Sequence, residues 1–204
     1  MKQSIYLFLA FFFIAFTSCD KENEQPQGAG DTQSYEIDAT SRTTWHYFSF
    51  KNKKVVGTGE ETKADNDKWF ARTDWDIAVC RYKVRTNSGT STTAGAKGGL
   101  YTCPADVSYA SVDKLPNSPL FASDKMVTSK GHGGTVTISH STAKVTQFKT
   151  KEDGSMLMPP VYYASPVYIF KTADGKENYK VNFTQYINEK GVTGHVKFDY
   201  ATLH

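Results

Sequence analysis

The sequence predicts an all-β fold, and three observations lead there. Apolar and polar residues alternate with period two in several short runs. Phe and Tyr, which suit pleated and half-buried surfaces, number 13 and 12. No segment sustains an apolar period of 3.6 residues.

The elements follow in order. Tyr35 and Ile37 alternate with Ser34, Glu36 and Asp38, which reads as a first strand. In a second, His46, Phe48 and Phe50 share one face while Trp45 and Tyr47 share the other. Trp75 to Arg85 is apolar on both sides for several residues and reads as one long central strand. Later strands are expected at Thr135–Ser139, Ala143–Phe148, Val167–Lys171, Tyr179–Ile187 and His195–Tyr200. Ala173-Asp174-Gly175-Lys176 is a hairpin turn, because Asp-Gly tolerates positive φ. Asn188 to Gly194 is a longer turn. One short helix is expected from Asp106 as cap to about Asp113, with Pro116 ending it. Many short strands separated by turn signals predict a sandwich or an irregular barrel.

The amino terminus reads as an export signal. Lys2 gives it a positive start, and the apolar run Ile5–Phe16 is too short to span a bilayer, which takes about 20 residues. Phe16-Thr17-Ser18-Cys19 resembles a bacterial lipobox, in which Cys19 is acylated and becomes the first mature residue. Asp20-Lys21-Glu22-Asn23-Glu24 resembles the Lys-plus-acidic signal that sends Bacteroidetes lipoproteins to the outer face of the outer membrane. Residues 19–32 lack any large apolar side chain and read as a flexible tether. The organisation is therefore a signal over 1–18, a tether over 19–32 and one β domain over 33–204.

Several function classes are excluded. Without Lys2 the chain has 23 basic and 21 acidic residues, a net charge of +2, too little to argue for nucleic-acid binding. The Gly-rich loop from Gly89 to Gly99 lacks phosphate-loop spacing, and no helix pattern follows it. No nucleophile elbow, His-Glu-x-x-His or paired-carboxylate arrangement appears, so an enzyme is not expected. With Cys19 lipidated, Cys80 and Cys103 remain, either bridged in an oxidising compartment or as two buried thiols.

Metal-binding chemistry centres on methionine. Beyond the initiator there are only Met126, Met156 and Met158, all in polar, loop-like phrases rather than in apolar runs. A thioether is a soft, neutral donor that suits haem iron or Cu(I). Two such donors on separate projecting hairpins could clamp a flat porphyrin from both faces. His132, in Lys130-Gly131-His132-Gly133-Gly134, is the rival donor on the first hairpin. Phe121, Tyr162 and Tyr163, with Phe148 and Tyr168, flank these segments and could stack on a ring; Lys125, Lys130 and Lys149 are the nearest cations for carboxylates.

Thr44-Trp45-His46-Tyr47-Phe48-Ser49-Phe50, the stretch from Trp75 to Gly89 closing at Lys97-Gly98-Gly99, and Lys171 to Lys176 running into Val181 to Tyr186 resemble, in that order, the HmuY family. These are haem-binding lipoproteins of Bacteroidetes-type bacteria, and the resemblance spans roughly residues 33–200. It implies twisted antiparallel sheets with extended hairpins gripping the ligand. It also implies a haemophore for iron acquisition at the cell surface. Such a protein takes haem b from host or dietary haemoproteins and hands it to a TonB-dependent outer-membrane receptor. It would be lipid-anchored in the outer membrane and could be shed. The family holds haem through two axial ligands, a His pair in some members and a Met pair in others. Here the matching regions offer Met126 and Met158, with Met156 and His132 as alternates. A glycan-binding surface lipoprotein is the competing reading, since it would share the lipobox, the acidic leader and the aromatic-rich β domain. A purely adhesive lipoprotein is the third.

Overall fold

A computed structural model describes residues 29–130, 134 and 136–204 of the chain. The expected signal, Cys19 and His132 lie outside the described residues. Two five-stranded antiparallel sheets form the body. The first runs in the order β1 (Gln33–Asp38), β14 (Thr193–Leu203), β13 (Asn178–Ile187), β12 (Tyr168–Lys171) and β6 (Gly99–Thr102). The second runs β3 (Lys54–Glu60), β2 (Thr44–Ser49), β4 (Ile77–Cys80), β5 (Lys83–Thr86) and β9 (Ala143–Lys144). Two further ribbons, β7 (Met126–Lys130) with β8 (Val136–His140) and β10 (Thr146–Phe148) with β11 (Tyr162–Ala164), complete the set.

Strand alternation divides the apolar residues into three layers. Phe48, Ile77, Val79 and Val84 of the second sheet meet Ile37, Phe170, Val181 and Phe198 of the first in the central core. The alternate residues Trp45, Tyr47, Ala78 and Cys80 point outward and pack with Trp69, Phe70 and Trp75 in a second cluster. On the far side of the first sheet, Cys103, Val112, Val167, Ile169 and Leu203 form a third cluster with the segment that follows β6. The alternation of Trp45 and Tyr47 against Phe48 and Phe50 is therefore the one expected from sequence.

Three local expectations are corrected. Trp75 to Arg85 is not one strand: β4 and β5 pair with each other, Cys80 opposite Lys83, around a tight turn at Arg81 and Tyr82. Arg81 takes φ of 54° there, a conformation usually left to Gly or Asn, so the sequence carries no turn signal. The segment from Asp106 forms only a 3₁₀ turn, Tyr109–Ser111, capped by Ser108 rather than Asp106. A helix not expected from sequence, α1 (Lys63–Phe70), is capped by Thr62, whose hydroxyl accepts the Asp65 N–H. Only Trp69 and Phe70, both at its last turn, are buried, so no apolar period advertises it. The expected strand at Ala143–Phe148 is interrupted at Val145 into β9 and β10.

Cys80 and Cys103 are both buried and unbridged. They lie in the outer clusters of opposite sheets, with the core between them. Sheets stack about 10 Å apart, whereas a disulfide needs Cα atoms within about 7 Å. Burial raises both thiols above their ordinary range, Cys80 to about 11, so both are inert.

α1 docks through its tryptophan. The Trp69 ring stacks on Tyr47 at 4.0 Å between centroids, and Trp75 meets Tyr47 edge-on at 4.9 Å. β3 makes room with glycine: a Cβ at Gly59 would stand 2.6 Å from Trp69 Nε1. Between the sheets, the buried Asp76 carboxylate accepts the Phe50 N–H and the Ala173 N–H, both at 2.8 Å, and so ties the end of β2 to the turn after β12.

Two outcomes are expected. Gly59→Ala displaces Trp69 and lowers the unfolding free energy by about 1–3 kcal/mol in denaturant titration, with the slope unchanged. Burial raises the Asp76 carboxyl above its ordinary value of 3.8. The stability it contributes is then complete below that value and is lost as pH rises through its folded one. Measured against Asp76→Asn across pH, wild-type stability falls through that window and is level above it.

Candidate functional site

β7–β8 and the excursion carried by β10–β11 leave the body as two arms. In the first, Met126 stands opposite His140, Thr128 opposite Ile138 and Lys130 opposite Val136. In the second, Phe148 pairs with Tyr162 and Gln147 with Tyr163, and Thr150 bridges to Met156 further out. The arms meet where Lys130 Nζ lies 3.5 Å from the Asp153 carbonyl oxygen.

The distribution of exposed apolar side chains is uneven. Eight large hydrophobic residues among those described are exposed: Leu120, Met126, Val136, Ile138, Met158, Val161, Tyr163 and Val192. Met126, Val136 and Ile138 belong to the first arm and Met158, Val161 and Tyr163 to the second. A body that buries its core this completely has no structural reason to collect uncovered apolar groups on two thin ribbons.

Between the arms and the body lie two adjoining cavities of about 410 and 340 Å³, which share Tyr82, Thr128 and Lys144 as walls. Their sizes fall in the range of small-molecule sites. The smaller is lined on the second arm by Phe148 and Met156, and on the first by Lys130. Tyr82 meets Phe148 edge-on at 4.6 Å, which sets an aromatic floor. Lys125, Lys130 and Lys144 line this region. Among the described residues, the ion pairs are Lys63–Asp67, Arg72–Asp74 and the two made by Glu61 with Lys83 and Arg85, so these three lysines have no acidic partner. The cleft thus has an aromatic floor of Tyr82 and Phe148, walls rich in Ser and Thr hydroxyls, and a polar border of three lysines and Asp153.

Electrostatics beneath the first arm are governed by a buried carboxyl. Burial pushes Asp124 up to about 6, against the hydroxyl bonds from Ser91 and Thr142 and the Arg85 charge, all of which favour ionisation. His140 is held below its ordinary value by burial and then by Arg85.

The sequence-derived site residues fare differently. Met156 stands in the cleft wall. Met126 and Met158 are 56% and 55% exposed on the first and second arms and line neither cavity. Tyr162 and Tyr163 line a shallower groove behind the second arm, where Tyr162 packs between Phe148 and Tyr186. Phe121 is not in the cleft: it packs against the third cluster, under the Lys171 ammonium at 4.6 Å. Tyr168 belongs to the central core. Of the expected cations, Lys125 and Lys130 reach the cleft and Lys149 does not. Tyr82 and Lys144 were missed. Each is brought there by pairing between distant segments, and Tyr82 also by the unsignalled β4–β5 turn.

With this geometry in view, the comparisons decide the family. The model of the HmuY protein family matches residues 41–200. The chain belongs to the HmuY family. Similar solved structures include a protein from Bacteroides fragilis assigned as a lipoprotein, with a TM-score of 0.60 at 24% identity over 83% of this chain and 88% of that one. An HmuY-like haem-binding protein from Bacteroides vulgatus gives a TM-score of 0.58 at 25% identity, over 83% of this chain and 90% of that one. The apo form of an HmuY analogue from Tannerella forsythia gives 0.51 at 22%, over 86% and 98%. No curated protein matches the chain. The HmuY fold expected from sequence, antiparallel sheets with little helix, is the one observed. Among the described residues of this HmuY-family chain, no helix is long and apolar enough to cross a membrane.

Proposed function

We propose that this HmuY-family protein captures haem b between its two arms at the cell surface and hands it to a TonB-dependent outer-membrane receptor. The observation that carries the reading is the cleft between the two arms, with Tyr82, Phe148 and Met156 in its walls and Lys125, Lys130 and Lys144 on its border. A porphyrin there would cover the two rings and the thioether, and covering apolar surface is worth about 25 cal/mol per Å². Thioether donors need no deprotonation and retain affinity for iron across pH. Met126 supplies the axial ligand from the first arm and Met158 that from the second, with Met156 as the nearer alternate because it already stands in the cleft wall. Lys125, Lys130 and Lys144 would receive the propionates. The relative from Bacteroides vulgatus, assigned as an HmuY-like haem-binding protein, supports the same ligand class.

The chain's own groups bind and orient. Tyr82 and Phe148 offer ring surface, and Lys125, Lys130 and Lys144 fix the polar edge. Haem comes from host or dietary haemoproteins, and the protein needs to be held near its receptor. Acylated Cys19 provides that hold: each buried methylene contributes about 0.8 kcal/mol, and durable anchoring takes more than one chain. A sugar platform of exposed tryptophans, which the competing reading would use, has no candidate here, because Trp45, Trp69 and Trp75 are all buried.

Two measurements test this. Purified protein titrated with haem gives a Soret shift and binds more tightly after dithionite reduction, because thioethers favour Fe(II). Met126→Ala weakens that binding by roughly 10–100-fold, the scale on which even outer-shell partners of a metal ligand count. Of Met158→Ala and Met156→Ala, the one with the larger loss identifies the second ligand. Unshifted spectra in both oxidation states, with retardation in a polysaccharide gel instead, would establish the sugar reading. In cells, labelled fatty acid is incorporated by the wild type and not by Cys19→Ser, and surface protease removes the wild type alone from the membrane fraction.

A further inference from the structure

The root of the first arm contains a buried carboxyl residue. Asp124 lies two positions before Met126 and is only 2% exposed. Its Oδ2 accepts the Ser91 hydroxyl at 2.5 Å and its Oδ1 accepts the Thr142 hydroxyl at 2.8 Å. Its backbone N–H donates to Ser88 Oγ at 2.9 Å, and its carbonyl accepts the Thr90 N–H at 3.0 Å. Four bonds thus tie one residue to two other places: the turn after β5, and Thr142, two positions beyond the end of β8.

The surroundings are built around this junction. Gly89 has φ of 51°, and a Cβ there would stand 2.0 Å from the Asp124 carbonyl oxygen. Only glycine allows the turn to come this close. The Ser141 N–H donates to the Lys125 carbonyl at 3.2 Å, and His140 Nδ1 lies 3.0 Å from Thr90 Oγ1. Both roots of the hairpin, the one entering β7 and the one leaving β8, are therefore stitched to the same turn.

A carboxylate is a costly choice for this place. No ion pair includes Asp124 among the described residues, and taking a charge out of water is unfavourable unless hydrogen bonds satisfy it. Apolar packing would hold two chain segments together more cheaply, but it would not fix their direction. A carboxylate with a hydroxyl on each oxygen does. An isolated two-stranded ribbon is marginal in water, so its orientation has to be imposed from its root.

We propose that Asp124 is the positioning residue of the haem site: it sets the direction in which the first arm leaves the body, and so where Met126 stands relative to the second arm. It touches neither iron nor porphyrin. The role of Met126 rests on the function proposed above; the junction itself does not.

The test reads arm order and ligation separately, in the full chain. In Asp124→Ala, amide hydrogen exchange across β7 and β8 quickens by roughly tenfold or more while β13 and β14 keep their protection. Asp124→Asn, whose amide can accept from one hydroxyl and donate to the other, restores arm protection. Added haem gives the wild type and Asp124→Asn the spectrum of iron with two axial ligands, and Asp124→Ala that of iron with one. Should Asp124→Ala fail to fold, Ser91→Ala combined with Thr142→Val removes both carboxylate bonds and is expected to quicken the arm in the same way. Unchanged exchange in β7 and β8, or an equal rise in β13 and β14, overturns the junction. An arm that loosens while the two-ligand spectrum persists overturns the positioning role. A wild type that gives no haem spectrum overturns the proposed function, and the exchange data still decide the junction.

Discussion

Phe48 is where the two sheets become one body. Its ring lies 4.8 Å from Tyr35, 5.5 Å from Phe50, 5.3 Å from Phe198 and 5.7 Å from Tyr200, so a single side chain of β2 touches both β1 and β14 of the opposite sheet. Tilted and edge-on contacts of this kind add to the area they bury, each by about 0.5–1.5 kcal/mol. They also fix direction, because a ring packed edge-on cannot slide as an aliphatic side chain can. Asp76 adds the polar counterpart by closing two backbone N–H groups from different sheets onto one buried carboxylate. Given this central layer, the outer face of each sheet has to be covered by something else. α1 covers the second sheet and the segment after β6 covers the first.

The cover over the second sheet contains a charge. Arg85 is fully buried, with its guanidinium carbon 3.3 Å from the Trp45 ring centroid, and it donates to Glu61 Oε1 at 3.3 Å and Asn66 Oδ1 at 3.0 Å. Glu61 also receives Lys83 and the Trp45 indole N–H. Burial disfavours the charged form of Arg85, and the ring and the carboxylate compensate. Its field reaches Asp124 and His140 at the base of the first arm. This buried network thus extends to the roots of the first arm, and six of the eight exposed large hydrophobic residues among those described lie on the arms beyond.

The sequence disclosed the body better than the cleft, for a physical reason. Period-two alternation is local, so Tyr35 with Ile37 and Phe48 against Tyr47 could be assigned to faces before any pairing was known. What failed was whatever local chemistry does not mark. Arg81 turns the chain where no Gly or Asn announces it, and α1 hides because its buried residues are adjacent rather than spaced. The methionines were legible in a limited sense: polar flanks do correspond to exposure for Met126 and Met158, yet Met156, from the same phrase, is the one in the cleft wall. Phe121 misled because proximity in sequence to an arm is not proximity to its face. Tyr82 and Lys144 could not have been found, since the cleft joins β5, β6, β9 and both arms, and their adjacency exists only after the sheets pair.

The structure bears on which kind of donor the first arm offers. His140 stands directly opposite Met126 in the ribbon, and imidazole is ordinarily the commoner metal ligand. Its ring, however, packs edge-on against Phe70 at 5.2 Å, and its Nδ1 is engaged with Thr90. Desolvation favours its neutral form, which would suit a metal, but the same packing anchors it to the second cluster. Moving it to an iron would give up the Phe70 contact and one link of the arm's root together. Met126, by contrast, is more than half exposed. For the haem-binding proposal, the first arm therefore pairs an imidazole committed to its root with an exposed thioether directly opposite.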